Sequence, residues 1–126
     1  MKKTEVTEVR NSLKKTLERF LGPLKIKVDT ESNFELSGTI QAPQGKKMVY
    51  GIYFSSIVPK EKDVRFYFFP AYTHPEAFEY ISDRLKKFKK GKSCFHVSYL
   101  DEELENEIKE MISKAIDIYR TEGWLA

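Results

Sequence analysis

The fold is decided by two aromatic segments, Met48-Val49-Tyr50-Gly51-Ile52-Tyr53-Phe54 and Val64-Arg65-Phe66-Tyr67-Phe68-Phe69. In a β-strand, successive side chains point to opposite faces, so apolar residues at every second position predict a strand. Aromatic and β-branched residues also favour strands. We therefore expect both segments to be strands, and we expect one face of the first to carry Met48, Tyr50, Ile52 and Phe54.

Two similar alternating runs precede these segments, at residues 24–28 and 34–40. The connectors at 29–33, 41–45 and 59–62 are short and rich in turn-forming residues. Parallel neighbours need crossovers of a dozen residues or more, whereas antiparallel neighbours need only a short turn. The sequence therefore predicts that the four strands form an antiparallel meander.

Helical periodicity marks the rest of the chain, and it predicts helices over about 4–21, 74–89 and 101–122. Thr73 and Glu76 have the spacing of a capping box at the start of the middle helix. A fifth, short strand is predicted at 93–97. The prediction is one α+β domain over residues 1–126. It has about five antiparallel strands and three helices in the order α-β-β-β-β-α-β-α.

Composition narrows the class of protein. Hydrophobic residues make up 40% of the 126 residues and charged residues 33%, which is typical of a soluble globular protein. No apolar run approaches the roughly 20 residues of a membrane span, no signal region follows the charged N-terminus, and one cysteine permits no internal disulfide. We expect a cytoplasmic protein that does not associate with membranes.

Charge is unevenly distributed, although the net charge is only +3. Residues 84–92 are basic and residues 101–110 are acidic. Such runs favour the ends of helices, where basic residues at the C-terminus and acidic residues at the N-terminus complement the helix dipole. Lys90 and Lys92 flank Gly91 and could still contact phosphates, but we expect only weak, salt-sensitive binding, so nucleic acid is not an expected partner. The two runs could also pair with each other.

Four segments carry a resemblance to a known family: residues 50–54, residues 64–75, Lys90-Gly91-Lys92-Ser93-Cys94-Phe95-His96, and the closing residues 119–124. Together they resemble the YdhG-like family, a bacterial domain of unknown function, over most of the chain. Some members of that family are described as frataxin-like intracellular iron chaperones. The resemblance therefore implies an α+β fold and an iron-chaperone role, but it supplies no catalytic or iron-binding residue for this sequence.

Cys94 and His96 are two apart on a predicted strand, so they would share a face. They could act as nucleophile and base or as two ligands of a soft metal. A tetrahedral metal site needs about four ligands, however, and the only other histidine is His74. We predict no metal site and no cofactor. We expect Cys94 to be a packed, inward-facing structural thiol, as free cysteines usually are.

The aromatic segments offer the remaining candidate site, because they are apolar on both faces. Either helices or a second subunit cover the second face, or that face binds a ligand. We expect Tyr53 and Tyr67 to be mostly buried if the face is covered. The candidate ligand-binding residues are Tyr53, Tyr67, Tyr72, His74, Lys90, Lys92, Cys94 and His96.

The function predicted first is that of a non-catalytic binding or carrier protein, whose partner is a small molecule or a protein and which could be a homodimer. An iron chaperone is the first alternative. An enzyme that uses Cys94 and His96 is the second, and it is disfavoured because the sequence reveals no third residue to orient the histidine.

Overall fold

A computed structural model describes residues 2–126 of the chain. Its helices are α1 (Val6–Glu18), α2 (Pro70–Thr73), α3 (Asp83–Phe88) and α4 (Glu102–Thr121), with one 3-10 turn at Pro75–Phe78. Its strands are β1 (Leu24–Asp29), β2 (Phe34–Gly38), β3 (Gln41–Gln44), β4 (Lys47–Tyr50), β5 (Tyr53–Pro59), β6 (Val64–Phe68), β7 (Lys89–Lys90) and β8 (Cys94–Val97). The predicted α+β class is confirmed.

The main sheet has six strands in the order β1-β2-β5-β6-β8-β7, and every neighbouring pair is antiparallel. The four predicted strands follow one another across this sheet, so the meander is confirmed. The structure adds a separate two-stranded hairpin, β3–β4, between β2 and β5. Residues 41–44, predicted as a connector, form the first strand of that hairpin.

The predicted strand over 48–54 is wrong, because the chain turns at Gly51 and divides it between β4 and β5. Met48 and Tyr50 are 65% and 70% exposed, whereas Ile52 and Phe54 are buried, so the four residues do not share a face. The turn needs glycine: Gly51 has a φ of +98°, and a Cβ there would lie 2.4 Å from the carbonyl oxygen of Gly38. Residues with a Cβ rarely adopt this left-handed conformation.

Helices α1 and α4 pack against each other and lie over one face of the main sheet. Both are amphipathic, and α1 directs Val9, Leu13 and Leu17 into the core. Burial alternates along β6 and β8. Phe66 and Phe95 are fully buried, whereas their neighbours along each strand are partly exposed. The helices therefore cover one face of these strands and leave the other face open.

The predicted middle helix over 74–89 is also wrong, because that segment forms the short 3-10 turn and then α3. Thr73 does not cap a helix; its hydroxyl contacts the Tyr119 hydroxyl at 2.7 Å and His74 Nδ1 at 2.8 Å. Ser82 begins α3, since its Oγ accepts a hydrogen bond from Leu85 N. Two further bonds from Ser82 to the Glu107 carboxylate on α4 fix the break.

The acidic and basic runs do pair in part. Arg84 on α3 contacts the carboxylates of Asp101 and Glu103 at the start of α4. The hydrogen bond from Arg84, together with one from Leu104 N, lowers the pKa of the Asp101 carboxyl. Asp101 also caps α4 through that bond from Leu104 N, so the acidic run mainly begins a helix. Within residues 2–126, no helix is long and apolar enough to cross a membrane.

Candidate functional site

The uncovered side of strands β5, β6 and β8, here called the open face, carries four of the predicted site residues. Tyr67 pairs with Cys94 across β6 and β8, and Arg65 pairs with His96 one step further along. On the other edge of β6, Tyr67 pairs with Ser56 of β5. Tyr53 joins the group because its hydroxyl donates to Ser56 Oγ at 2.7 Å. The register therefore brings Tyr53, Tyr67, Cys94 and His96 together.

Tyr53 is only partly exposed, and burial raises the pKa of its hydroxyl to about 12, although the bond to Ser56 opposes the shift. Tyr67 is also partly exposed. A covered face would bury both tyrosines, and the structure buries each of them only in part. Near neutral pH, Tyr53 is a neutral hydrogen-bonding group and does not act as a base.

Cys94 was predicted to face inward, and that prediction is wrong. Phe95 and Val97 fill the inward positions of β8, so Cys94 lies on the open face and is half-buried. Burial raises the pKa of its thiol, while Arg65 and a hydrogen bond with Tyr67 act in the opposite direction. Since the thiolate is the nucleophilic form, this site does not activate the cysteine.

Asp63, just before β6, is a neighbour of His96 that the sequence reasoning missed. Its Oδ2 lies 3.9 Å from His96 Nδ1, and its Oδ1 accepts a hydrogen bond from Arg65 Nε at 2.9 Å. Asp63 and Arg65 are two apart, so the alternation of β6 could have indicated that they share a face; their closeness to His96 depends on the strand register. Within residues 2–126, no group of three or more metal-ligating side chains could hold a metal ion.

A series of ring contacts leads from the open face to one end of the sheet. Tyr53 meets Phe69 at 5.5 Å between ring centroids, and Phe69 stacks on Tyr72 at 5.6 Å with an interplanar angle of 23°. Tyr72 is 53% exposed, and the ammonium group of Lys92 lies 5.8 Å from its ring centroid. These residues make an aromatic path that ends beside a cation.

That end of the path lines a small cavity of about 210 Å³. Its walls are formed by Ala71, Tyr72, Pro75, Lys89 and Lys92. Lys90 lies next to it on β7 and pairs with Cys94, so its position is on the open-face side of the sheet edge. The structure thus places Tyr72 and Lys92 together at the cavity and Lys90 at its border.

His74 belongs to a different cluster from the other predicted site residues. Its ring packs against Tyr119 and Trp124 at centroid distances of 5.7 and 5.4 Å, and its Nε2 lies 3.4 Å from Glu122 Oε2. Thr73 links Nδ1 of the ring to the Tyr119 hydroxyl, whose pKa is raised by burial. These contacts hold the C-terminal segment against α4, so His74 has a structural role there.

Comparison of the chain with models of known protein families, with curated proteins and with solved structures found no match. The resemblance to the YdhG-like family and the iron-chaperone role that it implies therefore stay predictions. Within the acidic run 101–110, Glu105 pairs with Lys3 and Glu107 accepts a hydrogen bond from Ser82.

Proposed function

We propose that this chain is a non-catalytic binding protein that holds a small molecule with a planar apolar group against its open face. One observation carries the proposal: the helices cover one side of the main sheet, while a connected series of partly exposed aromatic rings lies on the other side and at its edge. Tyrosine rings offer large, stiff contact surfaces with a polar tip, which suits them to binding.

Polar groups beside the rings could orient such a ligand. Arg65 supplies a fixed cationic fork, since Asp63 holds its Nε. His96 is the partner of Arg65 on β8, and Tyr67 follows Arg65 by two positions on β6, so all three are on the open face. A ligand site combines an apolar wall with a few fixed polar groups, and the open face offers both.

A second candidate, an enzyme that uses Cys94 and His96, gains one favourable observation from Asp63. A carboxylate near Nδ1 is the arrangement that orients a catalytic histidine. The 3.9 Å separation is longer than a hydrogen bond, however, and the raised pKa of the Cys94 thiol disfavours the nucleophilic form. Both facts support binding over catalysis.

The test compares thermal stabilisation by a panel of neutral aromatic compounds in the wild-type protein and in Tyr67→Ala. A ligand at a hundred times its Kd adds about 2.7 kcal/mol to the free energy of unfolding, which a melting experiment detects readily. Tyr80→Ala is the matched control, because Tyr80 is 91% exposed and lies outside the open face.

We expect at least one compound to raise the melting temperature of the wild-type and Tyr80→Ala proteins, with a smaller rise in Tyr67→Ala. Equal rises in all three proteins would place binding elsewhere and contradict the proposal. Cys94→Ser separates the two candidates, since a binding site should tolerate it whereas a thiol-dependent turnover should disappear.

A further inference from the structure

The cavity at the end of the aromatic path has a chemistry that differs from that of the open face. The open face holds opposite charges in contact, as Asp63 and Arg65 show. The cavity instead has two ammonium-bearing side chains, Lys89 and Lys92, in its wall and no acidic side chain among its lining residues.

Those cations are not neutralised by neighbouring carboxylates. Among residues 2–126, ion pairs engage Lys3 and Lys14, but none engages Lys89, Lys90 or Lys92. Like charges held near one another repel, and an anion between them relieves that repulsion. The cavity therefore favours a negatively charged occupant.

The Tyr72 ring adds a second requirement. One side of the ring stacks on Phe69, and the ring also lines the cavity beside Lys92 and Pro75. A planar ring placed there would contact the aromatic ring of tyrosine and the apolar ring of proline. The cavity of about 210 Å³ is smaller than the roughly 300–1,000 Å³ of sites for drug-sized ligands, so it suits a single ring.

We propose that this cavity binds a monocyclic aromatic anion, with the ring against Tyr72 and its carboxylate or phosphate between Lys89 and Lys92. This inference rests on the proposed function, because the aromatic path from Tyr53 through Phe69 makes the cavity one end of the same surface. It names the ligand class: an aromatic acid or an aryl phosphate.

The experiment is an NMR titration of the uniformly ¹⁵N-labelled full chain with benzoate, with phenyl phosphate, and with benzamide as the uncharged isostere of benzoate. We expect the two anions to shift the amide resonances of residues 71–74 and 89–92, and benzamide to shift them far less. The relative affinities of benzoate and phenyl phosphate then show which anionic group the cavity prefers.

Variants locate the charge that matters. Lys92→Gln should raise the Kd for benzoate about two- to fivefold, the range expected for one solvent-exposed ion pair. Added salt should also raise the Kd for benzoate, because it screens the attraction between the anion and the lysines. Lys86→Gln is the matched control, since Lys86 is an exposed lysine on α3 outside the cavity wall. Lys92 is itself exposed, so the variant should fold.

The outcomes separate this inference from the proposed function. If benzamide shifts the amide resonances of Tyr53 and Tyr67 while all three probes leave those of residues 71–74 and 89–92 unchanged, the anion site is refuted and the open face still binds. The anion site is also refuted if Lys92→Gln and Lys86→Gln weaken benzoate equally. If none of the probes moves either region, both proposals lose their support.

Discussion

Substituting Gly51 by alanine tests the turn that separates the β3–β4 hairpin from the main sheet. The φ of +98° costs a residue with a Cβ roughly 1–2 kcal/mol. The new Cβ would also stand 2.4 Å from the Gly38 carbonyl oxygen, so that backbone must move. The movement strains the hydrogen bond from Gly38 N to Ile52 O at 2.8 Å, which is worth about 0.5–1.5 kcal/mol.

Together these terms predict that Gly51→Ala lowers the free energy of unfolding by about 1.5–3.5 kcal/mol, or the melting temperature by roughly 5–18 °C for a domain of this size. Urea titration followed by circular dichroism measures the loss. Gly45→Ala is the control: its φ is +66°, but no atom lies within 4 Å of the added Cβ. If the two substitutions cost the same, the reasoning about close approach to Gly38 is refuted.

Three further outcomes are expected. Cys94 should react with a disulfide reagent more slowly than a free thiol at neutral pH, because burial raises its pKa. It should still react faster than the protein unfolds globally, because it lies on the open face. A reaction rate equal to the rate of global unfolding would place Cys94 in the core. The free energy of unfolding should fall as pH rises from 10 towards 12, because unfolded tyrosine ionises there while burial raises the pKa of both Tyr119 and Tyr53, the latter to about 12. Tyr53→Phe should reduce that loss of stability by at most about 2 kcal/mol, whereas substitution of the exposed Tyr80 by Phe should leave it unchanged. If stability falls equally steeply with pH in both variants, the burial of Tyr53 is contradicted. Ser55→Ala should be neutral or stabilise by up to about 1 kcal/mol, because the fully buried Ser55 Oγ has no hydrogen-bond partner among residues 2–126; a clear loss in urea unfolding would reveal a partner.

Sequence periodicity correctly predicts those elements whose apolar residues pack against the core along their whole length. Helices α1 and α4 and strands β6 and β8 fall in this group. The alternation from Met48 to Phe54 predicted one strand where there are two, because it continues through Gly51, where the chain turns close to the Gly38 backbone. A glycine inside an alternating run is itself a signal of such a break. The interruption near Ser82 depends on Glu107, which is far away in sequence.

The candidate site shows the same division between local and non-local information. The spacing of Cys94 and His96 correctly places them on one face, because alternation is local. Which face it is depends on where α1 and α4 pack, so the direction of Cys94 could not be read from its neighbours. Likewise, Asp63 meets His96 only through the pairing of β6 with β8. His74 joined the prediction by residue type alone, and tertiary packing assigns it elsewhere.

The chain has a single tryptophan, and its position limits what fluorescence can observe. Trp124 packs against Tyr119 at 4.9 Å and against His74, on the helix side of the molecule. Its emission therefore follows the detachment of the C-terminal segment. Circular dichroism follows the whole backbone, so an unfolding curve from tryptophan emission that precedes the one from circular dichroism would reveal opening of this segment alone. Ligands on the open face should leave the emission unchanged and require tyrosine absorbance or NMR.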